Sequence, residues 1–274
     1  MGVGGDARLM AQGDLEVMGW PALRATGVSA FVTTRDGGVS EGRYASLNLG
    51  LHVGDDDDAV VENRRRLAAA LGLTLDDLVF CNQTHGSTVA TVGRADRGRG
   101  ARSLGDAIAA TDALVTSEPG VGLAMMAADC SPLLLVDPVA RVLACVHSGW
   151  RGTVARVGAA AVGAMAELGA RPGRILAAIG PTVEAAGYQV GPEVAAAVTA
   201  SFGDGHRELL RPDDEGRWRL DLVAANTAVL VGAGVDPGKV HRSPLASDDE
   251  PFFSDRQARP CGRMAAVGVL PGPA

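Results

Sequence analysis

Three apolar runs lie close together in the middle of the chain, and they constrain the fold more than any other feature. Residues 121–127, 132–136 and 142–146 are short, rich in aliphatic side chains and bounded by polar or turn-forming residues. Continuous apolar runs of this length are typical of strands that are buried on both faces. The sequence therefore predicts a sheet whose two faces are both covered by other parts of the chain.

Further strands and helices are predicted on both sides of this region. Strand-like patterns occur over residues 28–34, 78–81, 88–92, 112–116, 175–179 and 264–270. Helices are predicted from the acidic residues 55–58 to Gly72, from Thr153 as N-cap to about Leu168, and over residues 192–201 and 222–232. This irregular alternation favours an α+β fold with mixed sheets over a doubly wound parallel fold. No repeat or linker divides the chain, so we expect one domain over residues 1–274.

The charge balance and the cysteine content exclude several functional classes. The formal net charge is −7, so the chain lacks the basic face of a general nucleic-acid binder. No run approaches the ~20 apolar residues of a membrane span, and residues 1–17 lack the apolar stretch of a signal peptide. We therefore expect a cytoplasmic protein with thiols or a metal ligand rather than disulfides at Cys81, Cys130, Cys145 and Cys261.

Three polar turns at the ends of predicted strands carry the residues best suited to chemistry. These turns are residues 82–86, 128–132 and 147–152, and they contain His85, Cys130 and His147. Loops at strand ends can converge on one site. Two imidazoles and one thiolate are suitable ligands for Zn²⁺, and three protein ligands leave a fourth position for water or substrate. The spacing alone leaves open that each residue has only a structural role.

The third turn has a second property. It places two glycines and Arg151 at the start of the helix that follows. Backbone N–H groups at a helix start, with an arginine beside them, can bind phosphate or a developing oxyanion. A strand-to-helix turn with a surface arginine is the alternative interpretation.

Ordered motifs along the chain resemble one family. They are Thr-Arg-Asp-Gly-Gly-Val-Ser at 34–40, Tyr-Ala-Ser-Leu-Asn-Leu-Gly at 44–50, Gln-Thr-His-Gly at 83–86, Ala-Asp-Cys at 128–130, His-Ser-Gly-Trp-Arg-Gly at 147–152 and Phe-Phe-Ser at 252–254. Over roughly residues 31–270 the chain resembles the YfiH-like laccase-domain proteins, also called multicopper polyphenol oxidase-like proteins or peptidoglycan editing factors.

The resemblance implies an α+β fold related to cysteine hydrolases, with mixed β-sheets in a sandwich flanked by helices. It implies one zinc ion, rather than copper, held by His85, Cys130 and His147. It also implies phosphorolysis of adenosine, inosine, guanosine and methylthioadenosine to free base and (methylthio)ribose 1-phosphate, together with adenosine deaminase activity. The partners are then purine nucleosides and phosphate, and we expect a monomer or a homodimer. The pocket residues implied are Asn48, Arg64, Gln83, Asp129 and Arg151.

Roles for these residues follow from the two reactions. In deamination, Asp129 is expected to move protons while water attacks C6 of adenine. In phosphorolysis, Arg151 or Arg64 is expected to hold phosphate, and Gln83 or Asp129 to assist departure of the base. Asn48 is expected to bind substrate together with Arg64. Asp129 has an alternative role, which is to fix the turn that carries Cys130.

This chain departs from the usual family pattern in two places. It has Ala-Gly-Tyr-Gln-Val at 186–190 where relatives usually carry Cys-Cys-Tyr-Glu-Val. It has Asp255-Arg256-Gln257 where relatives often show Tyr-Arg-Arg. These differences bear on substrate preference, and on phosphate affinity if the second segment contributes to the pocket.

Three other functions can be compared with the same residues. In a metal-free hydrolase that edits a peptidoglycan precursor, Cys130 is the nucleophile and His147 its base. A four-copper polyphenol oxidase needs many imidazole ligands, and this chain has five histidines and no His-x-His pair. A non-catalytic metal-binding module does not account for the open fourth ligand position.

Overall fold

Two six-stranded mixed sheets lie face to face in the computed structural model, which describes residues 7–272. The strands are β1 (Arg8–Gln12), β2 (Leu15–Gly19), β3 (Ser29–Thr33), β4 (Leu78–Phe80), β5 (Val89–Thr91), β6 (Ala113–Thr116), β7 (Gly122–Ala127), β8 (Ser131–Asp137), β9 (Val142–Ser148), β10 (Leu176–Ile179), β11 (Gln189–Val190), β12 (Leu210–Pro212), β13 (Trp218–Leu220), β14 (Val240–Arg242) and β15 (Met264–Val269). The helices are α1 (Pro21–Arg24), α2 (Asp57–Ala70), α3 (Trp150–Val154), α4 (Val157–Glu167), α5 (Pro192–Phe202), α6 (His206–Leu209) and α7 (Leu222–Gly232).

The strand order is β1-β2-β3-β15-β7-β4 in the first sheet and β14-β10-β8-β9-β6-β5 in the second, and β11-β13-β12 form a small third sheet. Most neighbours are antiparallel, and the pairs β4–β7, β5–β6 and β10–β14 are parallel. The prediction of an α+β fold with mixed sheets is therefore confirmed.

The central apolar runs form buried strands because both faces of the second sheet are covered. Along β9, Leu143 and Cys145 belong to the core between the two large sheets. The alternate residues Ala144 and Val146 belong to a second core, in which the sheet packs against α4 and α7. Successive side chains of a strand point to opposite faces, so a strand covered on both sides needs apolar residues at every position.

Helix α2 covers the outer face of the first sheet. Its residue Leu67 packs with Phe31 of β3 and Phe80 of β4 in a third core. The side chain of Asp56 caps the helix by accepting a hydrogen bond from the backbone N–H of Ala59, with an N–O distance of 2.9 Å. The predicted helix after the acidic residues 55–58 is confirmed.

One local prediction was wrong. The helix predicted to start at Thr153 begins at Trp150 and is interrupted at Arg156, whose φ of 60° lies in the left-handed region. The Thr153 hydroxyl donates to the carbonyl of Gly149, at 2.9 Å, and caps no later helix. The strands predicted over residues 78–81 and 88–92 are present as β4 and β5, and the turn between them crosses from the first sheet to the second.

Other elements were not predicted at all. The hairpin of β1 and β2 and the third sheet consist of strands of two to five residues. Runs this short show little periodicity in the sequence. Residues 1–6 and 273–274, the ends of the predicted single domain, lie outside the described part of the chain. Within residues 7–272, no helix combines the length and apolar character needed to cross a membrane.

Candidate active site

The site lies at one end of the two large sheets, where two chain segments pass from the first sheet to the second. The segment Ala128–Cys130 connects β7 of the first sheet to β8 of the second. Residues 81–88 make the same passage from β4 to β5 and carry His85. Both of these crossover turns therefore deliver a candidate ligand to the same end of the molecule.

Strand register brings the third ligand to the same place. In the β8–β9 pair, Pro132 lies opposite His147 and Ser131 opposite Ser148. Cys130, directly before β8, is thus held near the end of β9. The backbone N–H of His147 also donates to the carbonyl of Asp112, at 2.8 Å, which fixes the start of β6 beside it.

His85, Cys130 and His147 have the geometry of a metal site. One ligand atom from each residue lies within 4.8 Å of the others. The two imidazole rings are nearly perpendicular, with centroids 4.7 Å apart and an interplanar angle of 83°. His147 is buried, Cys130 is half-buried and His85 is exposed, so the group is open on one side. The sequence prediction that these three side chains meet agrees with this arrangement.

Asp112 organises the group from behind, and the sequence analysis missed it. Its Oδ1 accepts a hydrogen bond from Nδ1 of His147, at 2.9 Å, which leaves Nε2 of that ring free for a metal. The same carboxylate accepts the backbone N–H groups of Thr84, His85 and Gly86 at 2.7 to 3.2 Å. One buried carboxylate thus orients two of the three candidate ligands. Its only sequence signal was an acidic residue at the start of a short strand-like pattern.

Charges within the group favour a thiolate. Burial alone would raise the pKa of Cys130, but the neighbouring His147 and His85 lower it to about 6. Burial alone would lower the pKa of His147, but the charge of Cys130 and the hydrogen bond to Asp112 raise it to about 9. Without a metal, the two residues form a thiolate–imidazolium pair at neutral pH. The thiolate is the form of cysteine that binds metals and attacks carbon.

Gly149 lets the chain pass close to the thiolate. A Cβ at this position would lie 2.7 Å from Sγ of Cys130 and 3.3 Å from Cδ2 of His85. Only a glycine therefore allows the backbone to pass this close to the Cys130 and His85 side chains. Helix α3, which begins after it, has five residues, and Arg151 is exposed with its guanidinium over the Trp150 ring at 4.4 Å. Neither Trp150 nor Arg151 lines the cavity in front of the candidate ligands, so the geometry does not support the predicted anion site at this turn.

A cavity of about 790 Å³ opens in front of the candidate ligands. Its volume lies in the range of small-molecule sites. All three candidate ligands line it, together with Gln83 and Asp129. Further polar and charged side chains line the cavity: His52, Tyr188, Asp255, Arg256, Arg259 and Arg263. A polar cavity of this size next to a metal-binding group is suited to a ligand the size of a nucleoside.

Gln83 and Asp129 reach the cavity, but their polar atoms are already bound. The Gln83 amide makes two hydrogen bonds of 2.8 Å with the backbone of Met126, so it extends the edge of β7. The Asp129 carboxylate accepts from Oγ of Ser247, Oγ of Ser254 and the backbone N–H of Arg256, at 2.7 to 2.8 Å. Asp129 has a φ of 78°, which is uncommon for a residue with a side chain. These contacts fit the alternative role in which Asp129 fixes the turn.

Asn48 and Arg64 lie in the protein interior and do not line the cavity. The Arg64 guanidinium donates to the carbonyls of Leu49, Gly100 and Ala101 at 2.6 to 3.1 Å. Asn48 accepts the backbone N–H groups of Gly50 and Arg263, each at 2.9 Å. Both side chains therefore tie loops to one another. The prediction that they bind substrate receives no support from this geometry.

Several cavity residues were not predicted. The arginines Arg256, Arg259 and Arg263 lie in the connection between β14 and β15, which has no periodic pattern. Tyr188 lies just before β11, and burial and the charge of Cys130 raise its pKa to about 12. His52 is kept neutral, since desolvation and the positive Arg263 lower its pKa to about 4. In the sequence, residues 255–257 stand out as a departure from the family pattern that bears on phosphate affinity, but nothing there indicates that Arg259 and Arg263 join Arg256 at the cavity.

A family model described as multi-copper polyphenol oxidoreductase laccase matches residues 29–271. The chain belongs to this family. The resemblance drawn from the sequence motifs is therefore confirmed over nearly the whole laccase domain. The family description names a copper oxidase, whereas the described residues of this laccase-domain chain contain one group of three candidate metal ligands.

Relatives within the laccase-domain family carry nucleoside-related names. A purine nucleoside phosphorylase of Deinococcus radiodurans is 48% identical over 257 residues, which cover 92% of this chain and 94% of that protein. Adenosine deaminase RL5, from an unknown prokaryotic organism, is 40% identical over 240 residues, which cover 86% of this chain and 91% of that protein. The crystal structure of YlmD from Geobacillus stearothermophilus has a TM-score of 0.91 and 35% identity, and covers 96% of this chain and 99% of that one.

Proposed function

We propose that the protein is a zinc-dependent purine nucleoside phosphorylase that also deaminates adenosine. Its substrates in this proposal are adenosine, inosine, guanosine and methylthioadenosine, with phosphate as the second reactant. The observation that carries the proposal is the group of His85, Cys130 and His147 on the wall of a nucleoside-sized cavity. The names of the relatives, purine nucleoside phosphorylase and adenosine deaminase, support the same two reactions.

The donor set fits a single zinc ion. Two imidazoles and a thiolate within 4.8 Å of one another would provide three ligands and leave a fourth position open. The Asp112 carboxylate orients His147 as carboxylates orient zinc-bound histidines in many enzymes. When bound, zinc would supply Lewis-acid polarisation and lower the pKa of water. A multicopper oxidase distributes its ligands over several ions, which one group in residues 7–272 does not provide.

In phosphorolysis the protein binds two reactants and helps the base to leave. The C1′–N9 bond breaks with its electrons going to the purine, a C1′–O bond to phosphate forms, and the purine takes up one proton. Tyr188 remains protonated because burial raises its pKa to about 12. Its hydroxyl has no hydrogen-bond partner within residues 7–272, so it is free to donate to the departing purine.

In deamination, water adds at C6 of adenine and ammonia leaves, which gives inosine. Three protein donors already occupy most of the acceptor positions of the Asp129 carboxylate and hold it toward Ser247, Ser254 and Arg256. We therefore assign Asp129 the positioning of the Cys130 turn, and Gln83 the positioning of the β7 edge. Tyr188, the neutral His52 and Asn82 are cavity groups that can hydrogen bond the purine.

The decisive experiment combines metal analysis of the purified protein with chromatography after incubation with adenosine, with and without phosphate. We expect about one zinc per chain. We expect adenine to form only when phosphate is present, and inosine to form without it. Inosine or guanosine as substrate should yield hypoxanthine or guanine, again only with phosphate.

Other results would contradict the proposal. Copper as the bound metal, with oxidation of phenols, would favour the polyphenol oxidase function. A zinc protein that releases no base and no ammonia from any of these nucleosides would remove the nucleoside assignment. A variant with His206→Asn is a matched control, because His206 lies on the short helix α6 and does not line the cavity.

The metal-free cysteine hydrolase remains a second candidate because of one observation. The pKa of Cys130, held near 6 by His147, would make it a reactive nucleophile if no metal were bound. Iodoacetamide separates the two functions. We expect Cys130 to be protected in the protein as purified and alkylated after chelation, with Cys130→Ser as the control. Rapid alkylation at full metal occupancy, with peptidoglycan-precursor hydrolysis lost in parallel, would favour the hydrolase.

Some predictions from the sequence remain predictions. These are the single domain, the cytoplasmic location, the absence of nucleic-acid binding and the monomeric or homodimeric state. Size-exclusion chromatography with light scattering would determine the oligomeric state directly.

A further inference from the structure

Three arginines line one side of the cavity and define what we name the arginine wall: Arg256, Arg259 and Arg263. All three come from the connection between β14 and β15. The wall also contains one carboxylate, Asp255. The other acidic residue of the cavity, Asp129, is already bound by three hydrogen-bond donors. The wall therefore presents positive charge to any reactant in the cavity.

The arginine wall is fixed relative to the candidate metal ligands. The Asp129 carboxylate binds the backbone N–H of Arg256 and the hydroxyl of Ser254, each at 2.7 Å. Asp129 directly precedes Cys130, so a single residue joins the ligand turn to the wall. A reactant bound by the arginines would therefore be held at a set distance from a nucleoside bound near the metal group.

Two contacts hold the Arg256 guanidinium in an orientation suited to binding an anion. Its guanidinium lies over the Tyr188 ring, with Cζ 5.0 Å from the ring centroid, and Nη2 donates to the carbonyl of Gln189 at 3.1 Å. These two contacts hold the guanidinium plane, and its other N–H groups have no partner among the described residues. A planar guanidinium with free, fixed donors matches phosphate oxygens in pairs.

Asp255 lies between the other two arginines of the wall, Arg259 and Arg263. Its Oδ2 accepts Nε of Arg259 at 2.6 Å, and its Oδ1 lies 3.4 Å from Nη2 of Arg263. The second contact is long for a charged hydrogen bond. Arg263 is held independently, because its Nη1 donates to the carbonyls of Cys261 and Gly262 at 3.0 and 3.1 Å. The Asp255 carboxylate is thus a negative group placed between two cations that face the cavity.

We propose that Arg256 and Arg263 form the binding site for the phosphate reactant, and that Asp255 is a resident anion that competes with phosphate for Arg263. The assignment rests on the proposed phosphorolysis. It replaces Arg64, whose donors are bound to backbone carbonyls, and Arg151, which does not line the cavity. In this chain the Asp255 side chain then sets phosphate affinity, and nucleoside binding is independent of it.

The test measures the affinity of the protein for inorganic phosphate in two ways. The first is the KM for phosphate at saturating inosine, and the second is phosphate binding by calorimetry without nucleoside. We expect Arg256→Gln to raise both constants by ~10- to 100-fold, because it removes a paired charged contact. We expect Asp255→Asn to lower both by ~3- to 10-fold, because it removes the competing charge at nearly constant shape. The change in phosphate KM should exceed any change in phosphate-independent adenosine deamination by about 10-fold in Arg256→Gln and about 3-fold in Asp255→Asn, because deamination does not use phosphate.

The controls are Arg207→Gln and Asp204→Asn, a surface ion pair that does not line the cavity. They should leave both phosphate constants unchanged. An unaltered phosphate KM in Arg256→Gln, with phosphorolysis intact, would overturn the assignment of the site. A raised KM in Asp255→Asn would overturn the competing role, since the carboxylate would then be ordering the arginines.

Phosphate binding at the arginine wall and phosphorolysis can be tested separately. If the native protein releases no base with phosphate, phosphorolysis is wrong for this chain, and calorimetry still tests the anion site. Phosphate binding that is lost in Arg256→Gln would then support the site. Binding that persists in that variant, or that is absent from the native protein, would overturn it.

Discussion

The two sides of the cavity are built in different ways. The ligand side consists of turns fixed by strand register, and its central carboxylate, Asp112, accepts backbone N–H groups from three successive residues. The arginine wall lies in a long connection, and side chains distant in sequence position it: Asp129 accepts the backbone N–H of Arg256, and Asn48 that of Arg263. The first side is therefore determined by the fold, whereas the second can change with a few loop residues. This division suits an enzyme whose reactive group is constant and whose anion affinity is adjustable.

The largest effect is expected from loss of a ligand on the side fixed by the fold. His147→Ala should remove the bound metal and reduce phosphorolysis by ~10³-fold or more, because electrostatic stabilisation of the reacting groups is lost. Metal content by mass spectrometry and initial rates with inosine measure both effects. The His206→Asn control should retain metal and rate. Full activity in metal-depleted His147→Ala would show that the reaction does not use this group.

Asp112→Asn tests the support behind the ligands. It should lower metal affinity by ~10- to 100-fold, because an amide cannot accept from His147 and from the backbone N–H groups with both of its atoms. Competition with a chromogenic chelator measures the affinity. An unchanged affinity would mean that strand register alone is enough to place His147.

Much of the ligand side could be predicted from the sequence, and the reason is physical. Apolar runs mark buried strands, and the polar residues that follow them lie where the strands end, as His85 and Cys130 do. Asp112 could not be recognised, because an acidic residue before a short strand is equally typical of a turn. Its role depends on three backbone N–H groups of residues 84–86, which only the folded chain brings to it.

The arginine wall illustrates the opposite case. Its position is fixed by contacts between Asp129 and residues more than a hundred positions later in the chain. No periodic pattern encodes such contacts. The burial of Arg64, by contrast, follows from helical spacing in the sequence. Arg64 lies four residues after Val60 and three before Leu67, on the buried face of α2.

Asp129→Asn tests the connection between the two sides. An amide keeps one acceptor for the serine hydroxyls and loses the acceptor for Arg256, so the wall should loosen. We expect the KM for phosphate to rise by ~10-fold with metal content unchanged and with a small change in kcat. A kcat that falls ~100-fold, with an altered pH profile, would instead support the acid–base role predicted from the sequence.

The smallest effect on activity is expected at Arg64. Arg64→Lys cannot span the carbonyls of Leu49 and Gly100, so it should lower the free energy of unfolding by ~2–4 kcal/mol. Nucleoside and phosphate KM should stay within about 2-fold, because the side chain does not line the cavity. Urea denaturation and steady-state kinetics provide the two measurements. A large change in KM at unchanged stability would restore its predicted role in substrate binding.

The two crossover turns have a consequence for folding. Because Cys130 and His85 lie on segments that each change sheets, an ion shared by them would cross-link both layers of the sandwich at one end. Ligand binding that is confined to the native state adds stability that grows with the logarithm of ligand concentration, about 2.7 kcal/mol at one hundred times Kd. Zinc availability would then govern the lifetime of the polypeptide as well as its turnover.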